Sequence, residues 1–262
     1  VTTGYLKVGM EHVSSAALSC KHLCISADEL TKGYEFPPEL DIGGVLLYSG
    51  SNALVTGAMG PDDSFDEVRR RDLASFDGWE EMLHQYRDVL DRYPERAAAI
   101  EVDLGDFSSR ARSREALSRR GVTPIWRPFD DTEQQFDELA SEHGAVAVAP
   151  MVGLHRAMRA AILGWVQRKS REVKVRVHLM GAHPSDLLVA FPPDSYDTTS
   201  WMSSVKWDGH TPRVCMKRFS RLDRSFHYAV GDGRQWSTGV AMGAFGASLQ
   251  ARFLGGVKER FK

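Results

Sequence analysis

The sequence predicts an α/β chain built as an irregular (β/α)8 TIM barrel, and three observations carry that prediction. Apolar runs of strand length alternate with helical patterns along most of the 262 residues. The runs are apolar on both faces, which suits parallel strands covered by helices. Polar residues recur at the C-terminal ends of several different strands, where such a barrel gathers its functional groups.

The elements follow in order. GGVLLYSGS (43–51) is a continuous apolar run that ends in small residues. Asp63 to Arg92 then holds one or two amphipathic helices, and its stripe of Phe76, Trp79, Met82, Leu83, Tyr86 and Leu90 reads as core. AAAIEVDLG (97–105) is the next strand, followed by a short basic helix, Ser108 to Arg120, which Gly121 closes. VTPIWRPF (122–129) leads to a helix over Thr132 to His143, and GAVAVAPMVG (144–153) to one over Leu154 to Lys169. VKVRVHLMG (173–181), a short helix from Pro184 to Phe191 and a strand around Asp194 to Asp197 complete the alternation. The remaining strands must come from YLKVGM (5–10) or HLCISA (22–27) and from the C-terminal segment. No GxGxxG follows the first strand and no GxxxxGK occurs, so the fingerprints of doubly wound nucleotide folds are absent.

Composition narrows the class. The chain is 42% hydrophobic and 26% charged, ordinary for a globular protein. No apolar run approaches the roughly 18–20 residues of a membrane-spanning helix. No leader is visible in VTTGYLKVGMEHV, and Cys20, Cys24 and Cys215 make no disulfide framework, so the cytoplasm is the expected compartment. The net charge of −2 hides an asymmetry: from Trp201 onward there are eleven Lys/Arg and four Asp/Glu, a surplus of seven cations. Residues 1–200 therefore read as the barrel, and 201–262 as a short, basic, aromatic-rich C-terminal elaboration that completes or flanks it. Within it RVCMKRF and SFHYAV suit a hairpin. Lys217, Arg218, Arg221 and Arg224 are the candidate phosphate contacts, and Trp201, Trp207, Phe219, Phe226, Tyr228 and Trp236 are candidates to stack an extruded base. A solvated charged surface and a hairpin core explain the same residues more plainly.

Chemistry is expected where charge enters the last strand. HLMGAHPSDLLVAFPPDSYDTTSW (178–201) places Asp194 and Asp197 in a strand among helices. An unpaired buried carboxylate there costs several kcal/mol. The segment resembles the tRNA-guanine transglycosylases, which read L-M-G, a short helix, then D-x-F-D. It is closer still to the branch in phages and bacteria that installs 7-deazaguanines in DNA, where a D-S-T-S-W-like stretch matches Asp197-Thr-Thr-Ser-Trp201. Ser49-Gly50 after an apolar strand, Asp103 in VDLGD and Gly121-Val-Thr-Pro-Ile125 fall in the matching order, so the resemblance covers roughly residues 43–201.

The resemblance implies base exchange at an anomeric carbon. Asp197 would be the nucleophile that forms a glycosyl-aspartate, splitting one displacement into two. Asp103 would accept hydrogen bonds from the amide-and-amine edge of the purine. Its plain alternative is a helix cap, a task that Asp106 could serve equally well. Tyr48, Ser49, Gly50, Gly153, His178, Met180 and Gly181 fall at the substrate-binding positions, Met180 and Gly181 as a wall for the base. A turn glycine and a core methionine are the plain alternatives for that wall.

Three departures matter. Tyr48 stands where the family carries the aspartate of D-S-G, a general acid/base, so that role must move to Asp194, Asp103 or Tyr48 itself, or the activity has changed. The C-terminal zinc motif is missing, and Cys20-Lys-His22-Leu-Cys24 lacks a standard ligand spacing, so neither metal nor cofactor is expected. The family's Q-G-G glutamine is not visible, leaving Trp126 or Arg127 in that region.

Three functions remain open. One is replacement of guanine by a 7-deazaguanine such as 7-cyano-7-deazaguanine (preQ0) in DNA. Another is joining of a free 7-deazaguanine to a sugar nucleotide. The third is a catalytically silent nucleic-acid-binding relative. The expected partners are accordingly a 7-deazaguanine base with DNA or a sugar nucleotide, no membrane, and, as the sequence allows, a second copy in a homodimer.

Overall fold

A computed structural model describes residues 3–7, 22–31, 44–92, 97–117, 121–151, 153–182 and 186–198. Eight strands lie within them: β1 Thr3–Lys7, β2 His22–Ser26, β3 Gly44–Tyr48, β4 Ala97–Ala99, β5 Ile125–Trp126, β6 Ala145–Val148, β7 Arg176–Leu179 and β8 Ser195–Thr198. They form one sheet in the order β4-β3-β2-β1-β8-β7-β6-β5, and every pairing is parallel. Both N-terminal candidates are therefore strands, with β1 between β2 and β8. The segment 201–262, with its expected hairpin, lies outside the described residues.

The residues just after β4 and just before β5 also meet. Ile100 and Thr123 form a parallel bridge. The Thr123 N–H donates to Ala99 O at 2.7 Å, and the Glu101 N–H donates to Thr123 O at 2.9 Å. Strand β5 is only two residues long because Pro124 and Pro128 flank its Ile-Trp-Arg centre, and proline has no N–H to give a ladder.

The helices are α1 Ala27–Thr31, α2 Asn52–Ala58, α3 Phe65–Arg69, α4 Trp79–Arg92, α5 Phe107–Leu117, α6 Glu133–His143, α7 Arg156–Val173 and α8 Asp186–Ala190. The expected helical stretch 63–92 resolves into α3, a 3₁₀ turn at Leu73–Ser75, and α4. Helix α6 starts with a reciprocal capping box, Thr132 with Gln135, and stops at the left-handed Gly144. Helix α7 runs past Lys169 to Val173 and ends where Lys174 turns left-handed. No described helix is long and apolar enough to cross a membrane.

Side-chain alternation along the strands divides the core. Leu23, Ile25, Val45, Leu47 and Ala99 pack with Tyr86, Val89 and Leu90 of α4, and Phe76 joins them. The stripe read as core is core. Val146, Val148, Val177, Leu179 and Tyr196 pack with Phe136, Leu139, Leu163 and Val166 of α6 and α7. The alternate positions (Cys24, Leu46, Ile100, Ile125, Ala147, Ala149) form a third cluster, flanked by Tyr48 and Met180.

Tyr86 fastens the helix layer to the strand ends. Its fully buried hydroxyl donates to Ile100 O at 2.6 Å and lies 3.0 Å from Leu47 O. Tyr86→Phe leaves those carbonyls without this partner and should cost about 1–3 kcal/mol. Urea denaturation checks this; an unchanged midpoint would show that the hydroxyl contributes nothing.

Candidate functional site

Parallel strands gather their C-terminal ends on one side of a sheet, and two polar constellations lie at those ends. The first centres on Asp197. Its neighbour Tyr196 faces the helix-side cluster, so Asp197 points to the opposite face, as Ser195 does. The Asp197 residue is 3% exposed. Its Oδ1 accepts the Gly181 N–H at 3.0 Å, and its Oδ2 lies 3.1 Å from His178 Nε2. Gly181 has φ +57°, a conformation that favours glycine, and the turn it makes also lets the Ala182 N–H donate to Asp197 O at 2.8 Å. The Leu-Met-Gly turn after β7 therefore holds the carboxylate and the backbone of the adjacent strand. His178 pairs across the sheet with Ser195, and its Nδ1 lies 2.9 Å from Ser195 Oγ.

The second constellation surrounds Asp103, four residues beyond β4. Arg127 approaches Oδ1 with Nε at 2.9 Å and Nη2 at 2.6 Å, while Arg69 Nη1 reaches Oδ2 at 2.9 Å. Burial opposes ionisation of Asp103, but the guanidinium groups of Arg127 and Arg69 outweigh it and hold its carboxyl below the usual range. Arg127 also donates to Gly105 O at 2.7 Å. Beneath it, Arg110 joins Glu101 to Asp131, and Arg114 pairs with Glu101. Burial drives the Glu101 carboxyl up despite Arg114 and Arg110. Asp103 does not serve as the helix cap. Asp106 does, accepting the Ser109 N–H at 2.8 Å.

The other expected residues distribute unevenly. Tyr48 and Met180 pack against the third cluster. Ser49 is buried, and its Oγ accepts the Ser51 N–H at 3.3 Å. Gly50, at φ +81°, lies so close to Asp28 and Ser26 that a Cβ would fall 2.6 Å from Asp28 Oδ1. Ser26 Oγ in turn hydrogen-bonds Asp28. Gly153 is an exposed turn residue at φ +79° with open space around it. Asp194 precedes β8, where its Oδ2 accepts the Val177 N–H at 2.8 Å. That places it at the start of a strand whose far end carries Asp197, so the structure does not bring the two together. Lys217, Arg218, Arg221 and Arg224 lie outside the described residues, as does Cys20. Among the described residues, no group of three His, Cys, Asp or Glu is placed to hold a metal ion.

Sequence reading missed Ser195, Arg69, Arg110 and Asp131. The density of Arg and acid between positions 101 and 131 was the available signal. What the first constellation offers chemically is a fixed carboxylate, with the Gly181 N–H on one oxygen and the His178 ring against the other. The second offers a rigid ionic frame. No family model matches the chain, and no curated protein matches it.

Asp103 supplies a pH test. Its folded carboxyl titrates below the unfolded value of about 3.9. Its ionisation therefore adds stability that is full above that value and is lost as pH falls through the depressed folded one. Wild type should be more stable than Asp103→Asn near neutrality, with the gap closing below about pH 4. Urea midpoints across that range check it, and a constant gap would contradict the ionic frame.

Proposed function

We propose that this chain is a base-exchange N-glycosyl transferase that replaces guanine in DNA with a 7-deazaguanine, using Asp197 as its nucleophile. One observation carries the reading: the Asp197 carboxylate is buried on the sheet face opposite the helices, with the Gly181 N–H on one oxygen and the His178 ring against the other. A carboxylate so placed can attack C1′, balance the positive charge that develops there and hold the sugar covalently while bases exchange. The order of motifs shared with the transglycosylases supports the choice of chemistry.

The reading takes the strands as a closed (β/α)8 barrel. Three facts support closure. Strand β1 pairs on both sides, Ile100 bridges Thr123, and the third cluster unites residues from β2 and β3 with residues from β5 and β6. In that arrangement Asp197, His178 and Tyr48 face the barrel interior, near its C-terminal mouth.

Asp103 acquires a changed role. With Arg127 and Arg69 on its two oxygens, it serves the pocket wall as an anchored acceptor, and reading of a purine edge falls to whatever lone pairs the two guanidinium groups leave. A second reading rests on Tyr48. Departure of a guanine from DNA needs a proton at the base, whereas a departing diphosphate needs its negative charge balanced but no proton at a base. A phenol where the relatives carry an acid therefore favours transfer of a 7-deazaguanine to a sugar nucleotide.

The test supplies 7-cyano-7-deazaguanine as incoming base and follows, in parallel, labelled guanine released from DNA and nucleoside diphosphate released from sugar nucleotides. Asp197→Asn should lower turnover by about 10⁴-fold or more while the fold and base binding persist, because the amide lacks the attacking anion. Turnover at the wild-type rate would place the nucleophile elsewhere. Exchange from sugar nucleotides alone would select the second reading.

A further inference from the structure

Asp197 stands at the end of a short chain of hydrogen bonds that runs across two strands. Strand register sets His178 opposite Ser195, and alternation puts Ser195 and Asp197 on the same side of β8. His178 is 7% exposed. Its Nδ1 lies 2.9 Å from Ser195 Oγ and its Nε2 lies 3.1 Å from Asp197 Oδ2. An ionised carboxylate only accepts hydrogen bonds, so the imidazole hydrogen must sit on Nε2. In the neutral ring Nδ1 is then an acceptor, and the Ser195 hydroxyl is the donor that meets it. The opposite tautomer would aim a nitrogen lone pair at the carboxylate. The carboxylate disfavours it, and the Ser195 hydroxyl, able to donate or accept, takes the donor role and anchors Nδ1.

We propose that Ser195 and His178 together are the positioning device of the Asp197 nucleophile: Ser195 holds the His178 ring at Nδ1, and the Nε2–H fixes the carboxylate plane. The proposal rests on the reading of Asp197 as nucleophile. It gives His178 a task other than touching substrate, and it gives Ser195 a task where none was apparent. The Gly181 N–H donates to Oδ1, and a second donor on Oδ2 restrains rotation of the carboxylate about that contact. Attack on C1′ requires an oxygen held within a few tenths of an ångström of one place, and a misplacement of about 1 Å can cost on the order of 100-fold in rate.

The experiment compares the full chain with Ser195→Ala, Ser195→Thr, His178→Gln, His178→Leu and the Ser195→Ala/His178→Leu double variant. Base exchange gives kcat and KM, urea denaturation gives stability, and ¹⁵N–¹H correlation of the histidine rings gives the tautomer. Ser195→Ala should lower kcat about tenfold with KM for the incoming base unchanged, and Ser195→Thr, which keeps the hydroxyl, should restore it. His178→Leu should lower kcat about 100-fold. His178→Gln, whose amide N–H has a similar reach, should recover part of that loss. Adding Ser195→Ala to His178→Leu should cost nothing further, because the serine acts only through the histidine. Additive losses overturn the proposal, as does a kcat loss in Ser195→Ala that threonine does not repair. A His178 ring found with its hydrogen on Nδ1 alone also overturns it, whether or not the protein turns over. If the wild type exchanges no base with any donor, the nucleophile reading fails and the positioning role falls with it. Exchange by the wild type with no effect of either residue defeats the positioning role alone.

Discussion

A carboxylate removed from water keeps its charge only where donors or cations replace the lost hydration, and without them it costs several kcal/mol. Asp197 meets that constraint through local geometry. The Leu-Met-Gly turn after β7 needs a left-handed glycine, that glycine aims its N–H at Oδ1, and the residue three positions earlier in the same strand sends its imidazole to Oδ2. One strand thus supplies both contacts to its neighbour. The carboxylate in return binds the two strands together, since the turn also bonds to the Asp197 carbonyl. Local sequence, strand pairing and the buried carboxylate are a single arrangement, and a change in any part moves the others.

The ionic frame around Asp103 works differently. It draws on residues far apart in the chain: Arg69 on α3, Arg110 and Arg114 on α5, Arg127 and Asp131 around the end of β5. Frames of this kind contribute little net stability compared with an apolar core, yet removing one partner leaves an uncompensated charge and costs about 3–5 kcal/mol. Its physical consequence is rigidity where the sheet order begins and ends. Those outermost strands are short, and one bridge joins the residues that flank them, so side chains supplement the few backbone bonds there.

The sequence showed much of this fold and less of the site. Runs such as VLLY and VAV were legible because both their faces are buried, and the stripe of α4 because its period is helical. β1 and β2 were ambiguous, being short and near polar residues, although both belong to the sheet. β5 shrank because prolines bracket it. Asp197 was legible as an anomaly, a charge where a strand should be apolar. Asp194 looked equivalent on paper, but three residues along a strand span about 10 Å, and it caps the start of β7. The partners of Asp103 could not be read at all, since they lie 24 and 34 residues away in the chain.

The most direct measurement of the central assignment is where the sugar becomes attached. Protein incubated with donor and no incoming base, denatured rapidly and digested, would be analysed by tandem mass spectrometry for a pentose-bearing peptide. The account predicts one modified residue, Asp197, within the stretch 194–201. A pentose on another carboxylate, or no modified peptide with any donor that the protein turns over, would contradict it.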